Sequence, residues 1–335
     1  MYYCLSANMT TSRPGRTRIE LHPSRAEKLP KSAGSTIASV SVSYTGEPVR
    51  FVIDSTTSDQ VFARTLTSGR ASFARTRTEH QYSALVTVGA DSNYREIWLP
   101  DLTATFPIVE SFPDGDILVV APRCRYSESQ QQLNAKVFTR DGAAKREFLL
   151  GDGIEHVQAD NAGNIWVGYC DEGVYGNFGW EMTTALGVTG LSCFNALGEK
   201  VWDYQPPEGF ESIADCYALN VSARGVWICY YDDFPIAFID GSRNVRCWRN
   251  DSVGAKAIAV GDQRILLYGG YADDRTSCRL LQLEQSKTEQ VSEVFLALPR
   301  GIDLNKCSVI GRENSLHVFS NDDWFVFSID SLPKT

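Results

Sequence analysis

A short apolar run, a polar turn and a second apolar run recur along the chain. VESFPDGDILVVA (109–121), VQADNAGNIWVGYC (157–170), LNVSARGVWICYY (219–231), IAVGDQRILLYGG (258–270) and VIGRENSLHVFSN (309–321) all take this form. Each reads as an antiparallel pair of buried strands joined by a tight turn carrying Gly, Asn or Asp. The second-strand centres fall at Leu118, Trp166, Trp227, Leu266 and Leu316, with spacings of 48, 61, 39 and 50 residues. An earlier pair fits at 37–55, with TGEP as its turn. A second hairpin follows most pairs, at 83–101, 135–150, 191–205, 236–250 and 279–295. Helical periodicity is nearly absent, and SESQQQLNAK (127–136), which lacks an apolar stripe, reads as loop.

Two hairpins per repeat make a four-stranded antiparallel meander, and about six such repeats of roughly 50 residues predict a radial array of small sheets. The expected fold is therefore all-β: a six-bladed β-propeller of four-stranded blades, one domain over 1–335. The blades are placed near 36–101, 105–150, 153–205, 215–250, 256–296 and 305–330. The last repeat lacks an outer strand. RTRIELHP (16–23) alternates polar and apolar residues and is expected to supply it, so that no free seam remains.

With strands lettered A to D outwards from the axis, B–C loops and D–A links share one face. The B–C loops are long at 55–81, 122–133, 171–189 and 270–276, whereas the A–B turns are short. Long loops gathered on one face predict the binding surface there. They carry Arg123 and Arg125, then Asp171, Glu172, Tyr175 and Trp180, then Asp232, then Tyr271 and Asp273. Trp180 is expected to lie in the open, the other strand-centre tryptophans in the core. Further Asp pairs, Asp273–Asp274 and Asp322–Asp323, suit turn chemistry equally well. The A strands begin with Glu155 and His156, Asp215, Lys256, and Asn305 with Lys306, which predicts a mainly acidic channel mouth. The same thirteen candidates in sum are Arg123, Arg125, Glu155, His156, Asp171, Glu172, Tyr175, Trp180, Asp215, Asp232, Lys256, Tyr271 and Asp273.

Charge sharpens this picture. The 335 residues carry a net charge of -9, but residues 1–80 hold 11 Lys/Arg against 6 Asp/Glu. A basic segment packing on an acidic body gains from complementarity, and that body repels phosphates, so nucleic acid is not an expected partner. Nine cysteines without CxxC spacing suit reduced thiols in a cytoplasmic protein. No apolar run reaches the ~18 residues of a membrane span, and the start lacks the apolar stretch of a secretory signal. No GxSxG, Walker loop or HExxH occurs, so catalytic residues are unassigned.

Units such as NAGNIWVG (161–168) resemble the broad six-bladed group that includes NHL-repeat, TolB-like and SMP-30/gluconolactonase-like proteins. GYCDEGVYGNFGW (168–180) is similar to a stretch of bacterial propeller-like proteins. The resemblance implies the fold across nearly the whole chain. By likeness to SMP-30-like lactonases, Glu155, Asp215 and Asn305 imitate oxygen ligands for Ca or Mg, but Lys256 at the same mouth opposes a cation. The primary expectation is a non-catalytic binding module without cofactor or assigned metal, taking a protein or peptide, or else a small ligand, with no membrane role. The alternative is a metal-assisted lactonase- or esterase-like hydrolase.

Overall fold

The computed structural model describes residues 17–31, 34–66, 72–129 and 131–333. Six sheets form six blades in a ring, each built as an antiparallel meander. Their A strands are 35–42, 108–111, 154–159, 215–222, 257–260 and 308–312. Each A strand lies against the next, and the sixth returns to the first. Among the described residues, helix is confined to short turns at 55–61, 171–175, 272–274, 304–306 and 329–331.

Apolar packing explains the ring. Each of the six hydrophobic clusters lies between consecutive blades. Phe51, Val86 and Leu99 of blade 1 meet Val109 and Phe138 of blade 2. Leu280 of blade 5 meets Leu316 and Phe327 of blade 6, and Trp324 and Val326 of blade 6 meet Val42 of blade 1. A blade thus buries both faces, which is why its strands read as nearly continuous apolar runs.

The closing strand is not the one expected. Thr17–Leu21 pairs in parallel with Thr288–Leu296, adding a fifth strand to blade 5. The segment that completes blade 6 is Arg25–Lys28, antiparallel to Asp323–Ser328. Alternation in RTRIELHP marks an edge strand but does not name its neighbour. Ile19 and Leu21 bury themselves in the blade 5–6 cluster, which draws that strand to blade 5. Lys28 pairs with Asp323, and Arg50, on strand B of blade 1, pairs with Asp322 at 2.9 Å. The basic early segment therefore does pack on acidic groups, and Asp322 and Asp323 serve the seam rather than the mouth. Arg13 and Arg16 lie outside the described residues.

Inside the ring, four polar side chains plug the channel at its A–B-turn end. Glu110, Gln158, Asn220 and Arg312 come from the A strands of blades 2, 3, 4 and 6, and all are buried. Gln158 Nε2 donates to the carbonyls of Leu219 (3.3 Å) and Gly311 (3.1 Å). Gln158 Oε1 accepts from Val221 N and from Arg312 at 3.0 Å. Asn220 Nδ2 donates to the Ile258 and Glu313 carbonyls at 2.6 and 2.9 Å. The backbones approach so closely here that a Cβ on Gly311 would stand 2.0 Å from the Ile258 oxygen.

Candidate functional site

The B–C loops stand where their length placed them, but they divide into two regions. The first joins blades 1 to 3 and is locked. Arg123 is buried and grips Asp152 with Nε and Nη2, at 3.0 and 2.8 Å. Its guanidinium lies 4.7 Å from the Phe178 ring and 5.6 Å from that of Phe73, with Glu172 at 3.7 Å. Asp152 Oδ1 also accepts from Cys124 N. Trp180, expected in the open, is 7% exposed. Its indole donates to the Cys124 carbonyl at 3.0 Å and packs on Tyr126, centroids 4.9 Å apart. It is buried because loop packs on loop here, and Trp98 on an outer strand is the open tryptophan, 66% exposed. Arg125 is exposed, its guanidinium 5.1 Å from the Phe178 centroid. Arg123 and Trp180 build the rim rather than offering free contacts, while the Arg125 guanidinium stays open beside the Phe178 ring.

The second region spans blades 3 to 5 and is open. Asp215 begins the A strand of blade 4, and Glu155 the equivalent part of blade 3. A one-turn helix, 171–175, presents Asp171 and Glu172 beside them. It fits only because Gly153 and Gly173 touch: a Cβ on Gly153 would lie 2.2 Å from Gly173 N. Burial, and then repulsion from Glu155, Asp171 and Glu172, push the Asp215 carboxyl up to about 7. Asp171 is likewise raised, by desolvation and by Glu172. Among the described residues no cation lies within ion-pair distance of Glu155, Asp171 or Asp215.

An aromatic group adjoins the acids. Tyr217 and Tyr271 share a hydrogen bond between hydroxyls at 2.7 Å. Phe234 contacts both rings and that of Tyr231, with centroids 5.1 to 6.0 Å apart. Tyr231 and Tyr271 are about half exposed. Asp215 acts on the Tyr217 hydroxyl, raising its pKa together with burial and the Tyr271 bond. Tyr217, Tyr231 and Phe234 are the residues that strand reasoning missed. Tyr217 lies inside an apparently apolar strand, at the register shift between Cys216 and Ala218, where strict alternation does not assign its face.

The remaining candidates fall around this group. Lys256 is exposed at the mouth and has no carboxylate within ion-pair distance among the described residues. His156 is half-buried, its Nε2 without a hydrogen-bond partner. Tyr175 is 53% exposed, Asp273 is exposed and Asp232 half-buried. Asn305 donates its side-chain amide to Asp303 in its own turn, so the carboxylates acting on Asp215 are Glu155, Asp171 and Glu172 instead. Cys170, Asp171 and Glu172 offer ligand atoms within 4.8 Å of one another, but the Cys170 thiol donates to Glu172 and burial holds its pKa high. The eight described cysteines are all free, and among the described residues no helix is long and apolar enough to cross a membrane.

The comparisons with known proteins bear on the fold. The YxzG family matches over residues 184–325, under half of the chain. No curated protein matches the chain. The solved structures it resembles include a catalytically inactive virginiamycin B lyase from Staphylococcus aureus with quinupristin, at 10% identity and a TM-score of 0.45, covering 91% of this chain and 99% of that one. BamB from Moraxella catarrhalis is 10% identical with a TM-score of 0.46, covering 95% and 96%. A gluconolactonase from Xanthomonas campestris is 9% identical with a TM-score of 0.43, covering 95% and 99%. At such identities these likenesses concern the fold alone, that of a six-bladed β-propeller.

Proposed function

We propose that the chain is a non-catalytic binding module whose open mouth, between blades 3 and 5, holds a cationic side chain of a protein or peptide partner. The observation that carries this reading is the acid cluster at Asp215, in which Asp215, Glu155 and Asp171 have no paired cation among the described residues, flanked by half-exposed aromatic rings. Glu155, Asp171 and Glu172 all press on Asp215, and among the described residues only Glu172 of these four has a cation within ion-pair distance, Arg123 at 3.7 Å. An ammonium or guanidinium relieves that repulsion and gains from the adjacent tyrosine faces. The locked loops of blades 1 to 3 supply a preformed wall, which lowers the ordering cost of binding.

The test is titration with a short arginine-rich peptide and with its glutamate-substituted counterpart. Wild type is expected to bind the basic peptide alone, more weakly as salt rises. The double variant Asp215→Asn/Glu155→Gln is expected to weaken that binding at least about tenfold, equivalent to about 1.4 kcal/mol. Equal affinity of the variant, or equal binding of the acidic peptide, removes the reading.

A further inference from the structure

A second site lies on the opposite, A–B-turn face, and it owes nothing to the mouth. Where blade 6 meets blade 1 the seam opens into a cavity of about 330 Å³. Arg25 from the closing strand, Arg312 and His317 from blade 6, Ser24, Ser315 and Tyr44 contribute to its walls. The register explains the grouping. Arg25 pairs with Val326 and Val326 with His317, so their side chains stand in one row on the blade 6 face that looks toward blade 1. Tyr44, Thr45 and Gly46, the A–B turn of blade 1, close the other side.

Two buried nitrogen atoms in this wall lack partners. Arg312 is 2% exposed; its Nη1 and Nη2 serve Gln158 and the Ala159 carbonyl, but its Nε has no hydrogen-bond partner. His317 is 4% exposed, its ring stacked on Trp324, and its Nδ1 is also unmatched. Leaving such groups buried and unsatisfied costs about 1–3 kcal/mol each. The wall also holds one carboxylate, Glu313, already accepting from Ala223 N at 2.7 Å. Arg25 leans on Glu27 and on the Trp324 face. The wall thus carries two guanidinium groups, one paired with Glu27 and one facing Glu110, together with hydroxyl groups and an imidazole, against a single carboxylate of its own, Glu313.

We infer that this seam cavity binds a small oxyanion, a carboxylate or a phosphate, between Arg25, Arg312 Nε and His317 Nδ1. Burial, and then Arg312 and Arg25, push the imidazole pKa down to about 3. An anion meets the unmatched Arg312 donor and takes a charge-assisted hydrogen bond from it. The neutral imidazole meets the anion by its Nδ1–H tautomer. Because the closing strand supplies Arg25 and Ser24, occupancy ties the N-terminal segment to the body of the ring.

The test titrates the protein with inorganic phosphate and, separately, with acetate, each against sodium chloride at equal ionic strength. Thermal midpoint and the Trp324 indole N–H resonance are followed. A saturable rise in midpoint with a shift of that resonance is expected for at least one anion. Response to phosphate alone assigns a phosphate ligand, and response to acetate a carboxylate; either supports the site. Arg25→Gln and His317→Gln are expected to raise the half-saturation concentration about tenfold, as loss of one charge-assisted bond does. Arg18→Gln, on the paired outer strand, is expected to leave it unchanged. Should His317→Gln fail to fold, Arg25→Gln on its exposed side chain still decides. No response beyond chloride, or an Arg25→Gln protein that titrates like wild type, overturns the inference.

Discussion

Glu110 and Asp215 both stand on innermost strands, at opposite ends of the channel, and both have carboxyl groups pushed up to about 7. Their routes differ. Glu110 is fully buried, and desolvation alone lifts it, against the opposing pull of Arg312 and of backbone hydrogen bonds. Asp215 is partly open, and after burial it is lifted by three other acids. The first belongs to a plug in which most polar groups are satisfied. The second belongs to a cluster of four acids in which only Glu172 has a cation within ion-pair distance among the described residues. A shared pKa therefore does not mean a shared role: a group raised by its neighbours' like charge is one that an incoming cation relieves, whereas one raised by burial is sealed from such a ligand.

The largest effect that separates the two ends comes from the plug. Arg312→Leu removes the partner of Gln158 and the Ala159 carbonyl and leaves Glu110 without its nearby cation. A loss of about 3–5 kcal/mol in urea unfolding is expected, with peptide binding at the mouth unchanged in whatever fraction folds. A loss under about 1 kcal/mol would show that the plug does not hold the ring together. Next comes Glu110→Gln. A carboxyl whose folded pKa exceeds its unfolded value gives stability that is full below about pH 4 and lost as pH rises through 7. Replacing it with an amide abolishes that loss. The variant is expected to match wild type at pH 4 and to exceed it by about 2–3 kcal/mol at pH 8. A gain of the same size at pH 4 would refute the assignment to this ionisation.

How much of this was legible in the sequence depends on what each residue's neighbours are. Hairpins were legible because PDGD, NAGN and SARG are local turn signals between apolar runs, and the A–B strand pairs fall there. Long B–C loops were legible from length alone. Glu110, Gln158 and Asn220 went unread although a signal existed: each stands directly opposite a repeat centre, Leu118, Trp166 or Trp227, where blades 5 and 6 place Ala259 and Gly311. A polar residue recurring at one row of an innermost strand, with small residues in the other blades, marks side chains meeting on the axis. The seam cavity was not legible, because Arg25 and His317 lie 292 positions apart and the strand that joins them was assigned one segment too early. Trp180 was misread for a similar reason, since its partner Cys124 belongs to another blade's loop.

At the mouth the same pH experiment gives a smaller stability change and a larger functional one. Asp215→Asn is expected to add about 1 kcal/mol at pH 8 and nothing at pH 4, the effect being reduced by solvent screening at a partly open group. It is also expected to weaken arginine-peptide binding several-fold, which Glu110→Gln does not. If both variants weaken binding alike, the contrast between the two ends fails.

The smallest effect tests whether the tyrosine rings act as faces or as hydroxyl donors. Tyr271→Phe deletes the 2.7 Å hydroxyl bond to Tyr217 but keeps the ring against Tyr217 and Phe234. Such a bond contributes about 0.5–1.5 kcal/mol, and less where solvent replaces it. A stability loss of about 0.5 kcal/mol is expected, with peptide affinity within about twofold of wild type, because a cation is attracted by the ring face. Tyr271→Ala removes the face as well and is expected to weaken the peptide by about 0.5–1 kcal/mol more. If Tyr271→Phe costs as much affinity as Tyr271→Ala, the partner is recognised through hydrogen bonding at the Tyr217–Tyr271 pair, and the acid cluster, rather than the aromatic one, is what distinguishes the open end of the channel from the sealed one.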